Sequence, residues 1–397
     1  MRFTFREKTM LFMRKVDRSF VVLAAFVACH AIGSCDSAPQ GRASGTVATN
    51  DSVALRVETF VGGLEVPWSI VFTSAQRMLV AERPGRIRVV ESGTLRAEPL
   101  LVVNDVELSS ETGLMGLTLD PSYESSHQIY LSYAYASGSN IRVRVVRYRD
   151  DVTTVSDRTV TIEDLPAARF HAGCRIGFGP DGKLYITTGD ATEPGSAQDL
   201  GTLAGKTLRL NSDGTIPNDN PFVSRPGARG EIWSYGHRNA QGLDWQPGTG
   251  LMFQTEHGPS GNDAPGGGDE VNIVDRGLNY GWPIVHHRES RAGMVPPLAE
   301  YTPAVAPASG AFYRGTTFPS FTNNFFFGCL RGEALIRLVL DGRKLIRQER
   351  LLDGEYGRIR AVTEGPDGAL YVATSNRDGR GSPAQNDDRI LRIVPAR

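Results

Sequence analysis

Gly179-Pro180-Asp181-Gly182-Lys183-Leu184-Tyr185-Ile186 returns near the C-terminus as Gly365-Pro366-Asp367-Gly368-Ala369-Leu370-Tyr371-Val372. Each copy sets a Pro-Asp-Gly turn just before a run of apolar, β-branched and aromatic residues, the pattern of a tight hairpin. Fainter copies are WSIVFTSAQRMLVAE from Trp68, GLTLDPSYESSHQIYLSYA from Gly116, GLDWQPGTGLMFQTE from Gly242 and FPSFTNNFFFGCL from Phe318. All share one plan: a short apolar strand, a turn built on Pro, Asp, Gly or Asn, and a second strand. Six copies at irregular spacings of roughly 45–80 residues predict an all-β fold, a six-bladed β-propeller of four-stranded antiparallel blades. A β-sandwich would not need six similar hairpins, and long amphipathic helices are scarce. Propellers gather their inter-blade loops near the central axis, so chemistry is expected in the polar, Gly-rich segments that follow strands.

One such segment stands out. Glu231 to Pro259 reads EIWSYGHRNAQGLDWQPGTGLMFQTEHGP, and GGGDEVNIVDRGLNYGWP follows from Gly266. The GHRNAQG portion crowds a guanidinium and two amides among glycines, which suits a ligand rich in carboxylate and carbonyl oxygens. Turn carbonyls and carboxylates in the next loops suit a hard cation such as calcium. Together they point to an anionic, oxygen-rich small molecule held beside a metal.

The N-terminus reads as an export signal. Arg14, Lys15 and Arg18 precede the apolar run Phe20 to Ile32, which is short for a membrane span. The run closes on Ile32-Gly33-Ser34-Cys35, which resembles a bacterial lipobox; ordinary cleavage nearby is the alternative. The expected organisation is a lipoprotein-type signal peptide over residues 1–34, a flexible Gly/Ser/Thr-rich linker over 35–52 and the propeller over 53–397. Location follows: exported, periplasmic or in the cell envelope, touching the membrane only through a lipid on Cys35. The leader holds six basic and two acidic residues, so its removal takes the net charge from -1 to -5. No basic patch then suggests nucleic acid. Beyond Cys29 and Cys35 only Cys174 and Cys329 remain, which excludes a disulfide framework and leaves one bridge or two independent core thiols.

The motifs also resemble a family. PWSIVF, LVAERPGRIRVV, GLMGLTLDPSY, FHAGCRIGFGPDGKLYITTGD, AQDLGTLAGKTLRLNSDGTIPNDNPF, GHRNAQGLDW, EHGPSG and GRIRAVTEGPDGALYVAT occur in consistent order from about Leu64 to the C-terminus. This set resembles the soluble glucose/sorbosone dehydrogenases, quinoproteins that use pyrroloquinoline quinone (PQQ), and within them the periplasmic aldose sugar dehydrogenases. The resemblance implies oxidation of the anomeric hydroxyl of an aldose to the lactone, with hydride passing to PQQ and electrons then to a quinone or cytochrome. It assigns His171 as general base, a role that suits imidazole because its ordinary pKa lies near working pH. Asp190 would orient and charge that ring, and Arg238 would stabilise charge developing on the cofactor. Arg238, Asn239, Gln241, Arg331, Arg358 and Arg360 match cofactor-facing positions, and the i, i+2 spacing of Arg358 and Arg360 puts both on one face of a strand. Calcium beside the quinone would be held by the carbonyls of Gly258 and Pro259, and a second, structural calcium by Glu270 and Tyr280. His237 and His257 read as packing residues.

Four positions depart from the family pattern. Arg331 stands for a lysine, Glu111 for a glutamine, Arg291 for a tyrosine and Ala361 for an aspartate. Glu111 would repel PQQ unless it faced sugar hydroxyls or carried a proton. Two rival classes stay open: a non-catalytic ligand-binding propeller, and a calcium-dependent lactonase-type hydrolase, which would need grouped carboxylates and amides around the axis.

Overall fold

The computed structural model describes residues 45–51, 53–261 and 263–396. The signal segment, the lipobox cysteine and most of the expected linker lie outside them. Among the described residues no helix is long and apolar enough to cross a membrane.

The strands sort into six antiparallel sheets. Their first strands are Pro67–Ser74, Leu114–Leu119, Gly173–Phe178, Ala240–Trp245, Pro307–Phe312 and Ile359–Glu364. Each of these touches the next in order, and the sixth touches the first, so the sheets close into a ring. This is a six-bladed β-propeller. The last blade is shared between chain ends: Ala54–Val61 pairs with Ile390–Pro395, in register from Leu55↔Pro395 to Thr59↔Leu391 and shifted by a bulge before Val61↔Ile390. That pairing buries the edge the C-terminal three strands would otherwise expose. Gly45–Ala48 adds an outer strand to it, so the end of the expected linker is ordered by a free sheet edge.

Crowding around the axis explains two glycines of the inner strands. A Cβ on Gly116 would lie 2.5 Å from Ser132 Oγ, and one on Gly242 would lie 2.5 Å from the Ala308 carbonyl oxygen. Both positions need backbone that neighbours can approach closely. Apolar clusters fill the spaces between blades, one joining Trp68 and Met115 to Ile176 and Leu208, another packing Phe253, Phe312, Phe325 and Phe327 together in edge-on and tilted contacts. Cys174 and Cys329 belong to different clusters and are free, buried thiols, so no bridge joins them.

Both Pro-Asp-Gly turns fold the same way. Gly182 and Gly368 take φ of +70° and +72°, where a Cβ is strained, and donate to the carbonyls of Gly179 and Gly365. The second carboxylate oxygen of Asp181 accepts from Tyr185 and Arg209, and that of Asp367 from Tyr371 and Arg392.

Candidate active site

In an antiparallel blade the entrance to the first strand and the exit from the second lie at the same end. Loops at those positions in five blades enclose a cavity of about 620 Å³. It brings together His171, Arg238, Asn239, Gln241, Arg331, Arg358 and Arg360, and adds Glu111, Phe170, Thr192, His257 and Arg380. Asp190 lies behind its wall, fully buried.

His171 is presented by a backbone in the left-handed region, φ +56°, just before the bulged strand Gly173–Phe178. Its Nδ1 lies 2.8 Å from Asp190 Oδ1, while Trp282 Nε1 donates to the other oxygen of Asp190 at 2.8 Å. The Thr192 amide adds a third bond to Asp190 at 2.9 Å. With Nδ1 occupied in this way, Nε2 is the ring nitrogen left to the cavity, and among the described residues it has no protein partner. His257 also borders the cavity, but its Nε2 bonds the Pro307 carbonyl at 2.9 Å and burial pushes its pKa down to about 3. It is a neutral ring that cannot readily take up a proton.

Glu111 reaches the same wall. It accepts the His171 amide at 3.1 Å and pairs with Arg380 at 3.1 Å. Burial opposes its charge, yet the surrounding donors hold its carboxyl below the usual range. Because His257 is neutral near pH 7, Arg380 and the His171 amide carry that effect there. The expected repulsion is therefore met by a neighbouring guanidinium rather than by a proton.

The remaining charge is mostly positive. Arg238 pairs with Asp263 at 2.6 Å and Arg358 with Asp378 at 2.7 Å. Arg360 has no acidic partner among the described residues; its guanidinium reaches Gln241 Oε1 at 3.3 Å and leaves Nε unbonded. Beneath it Arg175, also buried, lies 4.0 Å from the centre of the Trp68 ring, with Arg360 5.5 Å from the same ring. Burial pushes Arg175 down to about 9, with repulsion from Arg360 added, and Arg360 down to about 10. Arg360, a buried cation on the cavity wall with no carboxylate partner among the described residues, fits a ligand that carries negative charge.

Gly258, Pro259, Glu270 and Tyr280 gather in an adjoining cavity of about 10 Å³ that shares Arg238 and His257 with the larger one. Glu256 lines it too, and burial together with the Glu256 charge raises the Glu270 carboxyl well above its usual range. The two acids outnumber the one cation of this cavity, Arg238, which is already paired with Asp263, and such a surplus of buried carboxylate fits a small hard metal ion. The Tyr280 hydroxyl is already committed, donating to the Ile273 carbonyl and accepting from the Asp275 amide, both at 2.7 Å. Any ligand from Tyr280 would have to be its carbonyl. Among the described residues no three His, Cys, Asp or Glu side chains are grouped to hold a metal, so backbone carbonyls would have to supply much of the shell. Arg291 is exposed and borders neither cavity; Ala361 is buried within its strand.

The model of the Glucose / Sorbosone dehydrogenase family matches residues 64–391. The chain belongs to that family. Aldose sugar dehydrogenase YliI of Escherichia coli is 34% identical, over 82% of this chain and 91% of its own. Quinoprotein glucose dehydrogenase B of Acinetobacter calcoaceticus is 30% identical over 57% of this chain and 52% of its own. The PQQ-bound structure of aldose sugar dehydrogenase from Streptomyces coelicolor superposes with a TM-score of 0.75 at 32% identity, covering 90% of this chain and 99% of that one.

Several residues that complete the site in this Glucose / Sorbosone dehydrogenase family member escaped sequence reading. Trp282, in the NYGWP motif, had a signal but no assigned partner. Asp263, Asp378 and Arg380 lie in loops where acids and arginines ordinarily face solvent, and only their partners single them out.

Proposed function

We propose that this chain oxidises the anomeric hydroxyl of an aldose to the lactone, with PQQ in the larger cavity and calcium beside it. The observation that carries the reading is an imidazole backed by a buried carboxylate, its free Nε2 facing a cavity whose floor holds unpaired guanidiniums. When bound, PQQ supplies an ortho-quinone that accepts hydride, and calcium polarises it.

The protein's own part follows from its geometry. His171 Nε2 takes the hydroxyl proton as the C–H hydride departs. Asp190 stabilises the imidazolium so formed, and Trp282 and the Thr192 amide keep that carboxylate from turning away. Arg360 and Arg331 face the cavity with charge to spare for cofactor carboxylates, while Arg238, held by Asp263, is fixed in orientation. Asn239 fixes Gln241, whose side-chain amide donates to its oxygen at 3.0 Å. The carbonyls of Gly258 and Pro259 would hold that calcium, and Glu270 with the Tyr280 carbonyl a second, structural one. Electrons would leave to a quinone or cytochrome, and a lipid on Cys35 would keep the enzyme at the membrane.

The test is purified apo protein given PQQ and Ca²⁺, with sugar-dependent dye reduction followed. Activity should appear with both and not with NAD. If PQQ changes neither the absorption spectrum nor thermal stability, the quinoprotein reading fails and the binding-propeller reading takes its place. Cys35→Ser should release the protein from membranes with sugar oxidation intact.

A further inference from the structure

Lys206 opens the strand Lys206–Leu210 and is wholly buried. Among the described residues no carboxylate pairs with it. Its ammonium donates instead to three carbonyls, Ser196 at 2.8 Å, Ala197 at 3.1 Å and Ala204 at 2.6 Å. Burying an ammonium away from any anion opposes folding, and burial indeed pushes Lys206 down to about 7. A less costly residue could fill the space, so the position asks what the ammonium organises.

All three carbonyls belong to the one loop between Asp190 and Lys206. The same loop carries Gln198, whose Nε2 donates to the Trp282 carbonyl at 2.6 Å and whose Oε1 accepts from Asn279 at 2.8 Å. Trp282 in turn holds Asp190 through its indole N–H. The Ala197 carbonyl also accepts the Gly236 amide at 2.9 Å, two residues before Arg238. The knot under the loop thus connects, through Gln198 and Trp282, to the carboxylate behind His171. We propose that Lys206 is a positioning residue for the His171–Asp190 pair, acting by tying this loop so that Gln198 holds Trp282 against Asp190.

The proposal rests on His171 being the base, so its test includes readouts that need no turnover. Lys206→Met, Lys206→Gln and Gln198→Ala are made in the full chain. The Trp282 indole N–H resonance, which reports its bond to Asp190, is followed by NMR in apo protein, amide exchange is measured across residues 191–205, and kcat and KM are measured after PQQ loading. In Lys206→Met the loop amides should exchange on the order of tenfold faster. The Trp282 indole N–H resonance should move upfield as its bond to the carboxylate lengthens. The kcat should drop about three- to tenfold with KM little changed. Lys206→Gln, whose amide keeps two donors, should recover part of each loss. Gln198→Ala, which leaves the ammonium in place, should reproduce the indole and kcat changes, and it carries the test if Lys206→Met does not fold. An unchanged Trp282 indole resonance in Gln198→Ala, or in a folded Lys206→Met, overturns the proposal even if melting temperature falls. A shifted indole resonance in protein that never oxidises sugar upholds the coupling and removes the function instead.

Discussion

The propeller holds two imidazole–carboxylate pairs of nearly equal length. His171 Nδ1 is 2.8 Å from Asp190, and His237 Nδ1 is 2.9 Å from Glu256. The difference lies at the other nitrogen. His237 Nε2 is 2.8 Å from Ser234 Oγ, its ring stacks on Tyr280 with centroids 4.8 Å apart, and its side chain is 0% exposed. The His171 side chain keeps 15% exposure, with Nε2 turned to the cavity. A histidine–carboxylate pair is therefore not by itself a catalytic feature. One pair fastens a wall and the other stands open to a substrate, because only one has a nitrogen to spare.

The largest expected effect separates the pairs directly. His171→Gln should keep its cofactors yet lose roughly 10²–10⁴-fold in turnover at saturating PQQ, the usual worth of a positioned base. His237→Gln should hold turnover within a few-fold and instead lower the melting temperature, since it disturbs a fully buried network. Near-normal turnover in His171→Gln would erase the distinction.

Next in size is the cationic floor. Arg358→Ala should weaken PQQ binding by about 10- to 100-fold through loss of a charge-assisted contact and the stranding of Asp378. Turnover of the loaded enzyme should stay near normal; a matching fall in kcat would move Arg358 into the chemistry. Smaller still is the bond that only the His171 pair receives from an indole. Trp282→Phe removes a donor to an ionised carboxylate, so turnover should fall about tenfold with PQQ binding retained.

The smallest effect is a slope. Burial pushes the folded-state pKa of Lys206 down to about 7, against an ordinary value of 10.5. Between those values the unfolded chain binds the extra proton, so this group makes stability rise with pH across that window and adds no slope below it. The melting temperature of the wild type should climb relative to Lys206→Met from about pH 7 toward 10. Parallel curves would mean that the ammonium is not desolvated as its surroundings imply.

Much of this molecule was legible in its sequence because the relevant physics is local. A Pro-Asp-Gly turn closes through bonds within a few residues, and the two turns do so with the same glycine conformation and the same Asp–Tyr contact. Repeating that unit determined six blades and put the GHRN and EHGP loops at strand ends. Arg358 and Arg360 both reach the cavity although a bulge interrupts the pairing between Ile359 and Ala361. What the sequence could not determine is carried by contacts between distant parts of the chain. Trp282 reaches Asp190 across 92 positions, and Arg380 neutralises Glu111 across 269. The share of each chain end in the last blade is of the same kind. Local backbone preference chooses turns and strands, but burial and the pairing of charges exist only once the ring has closed, and there His171 parts from His237.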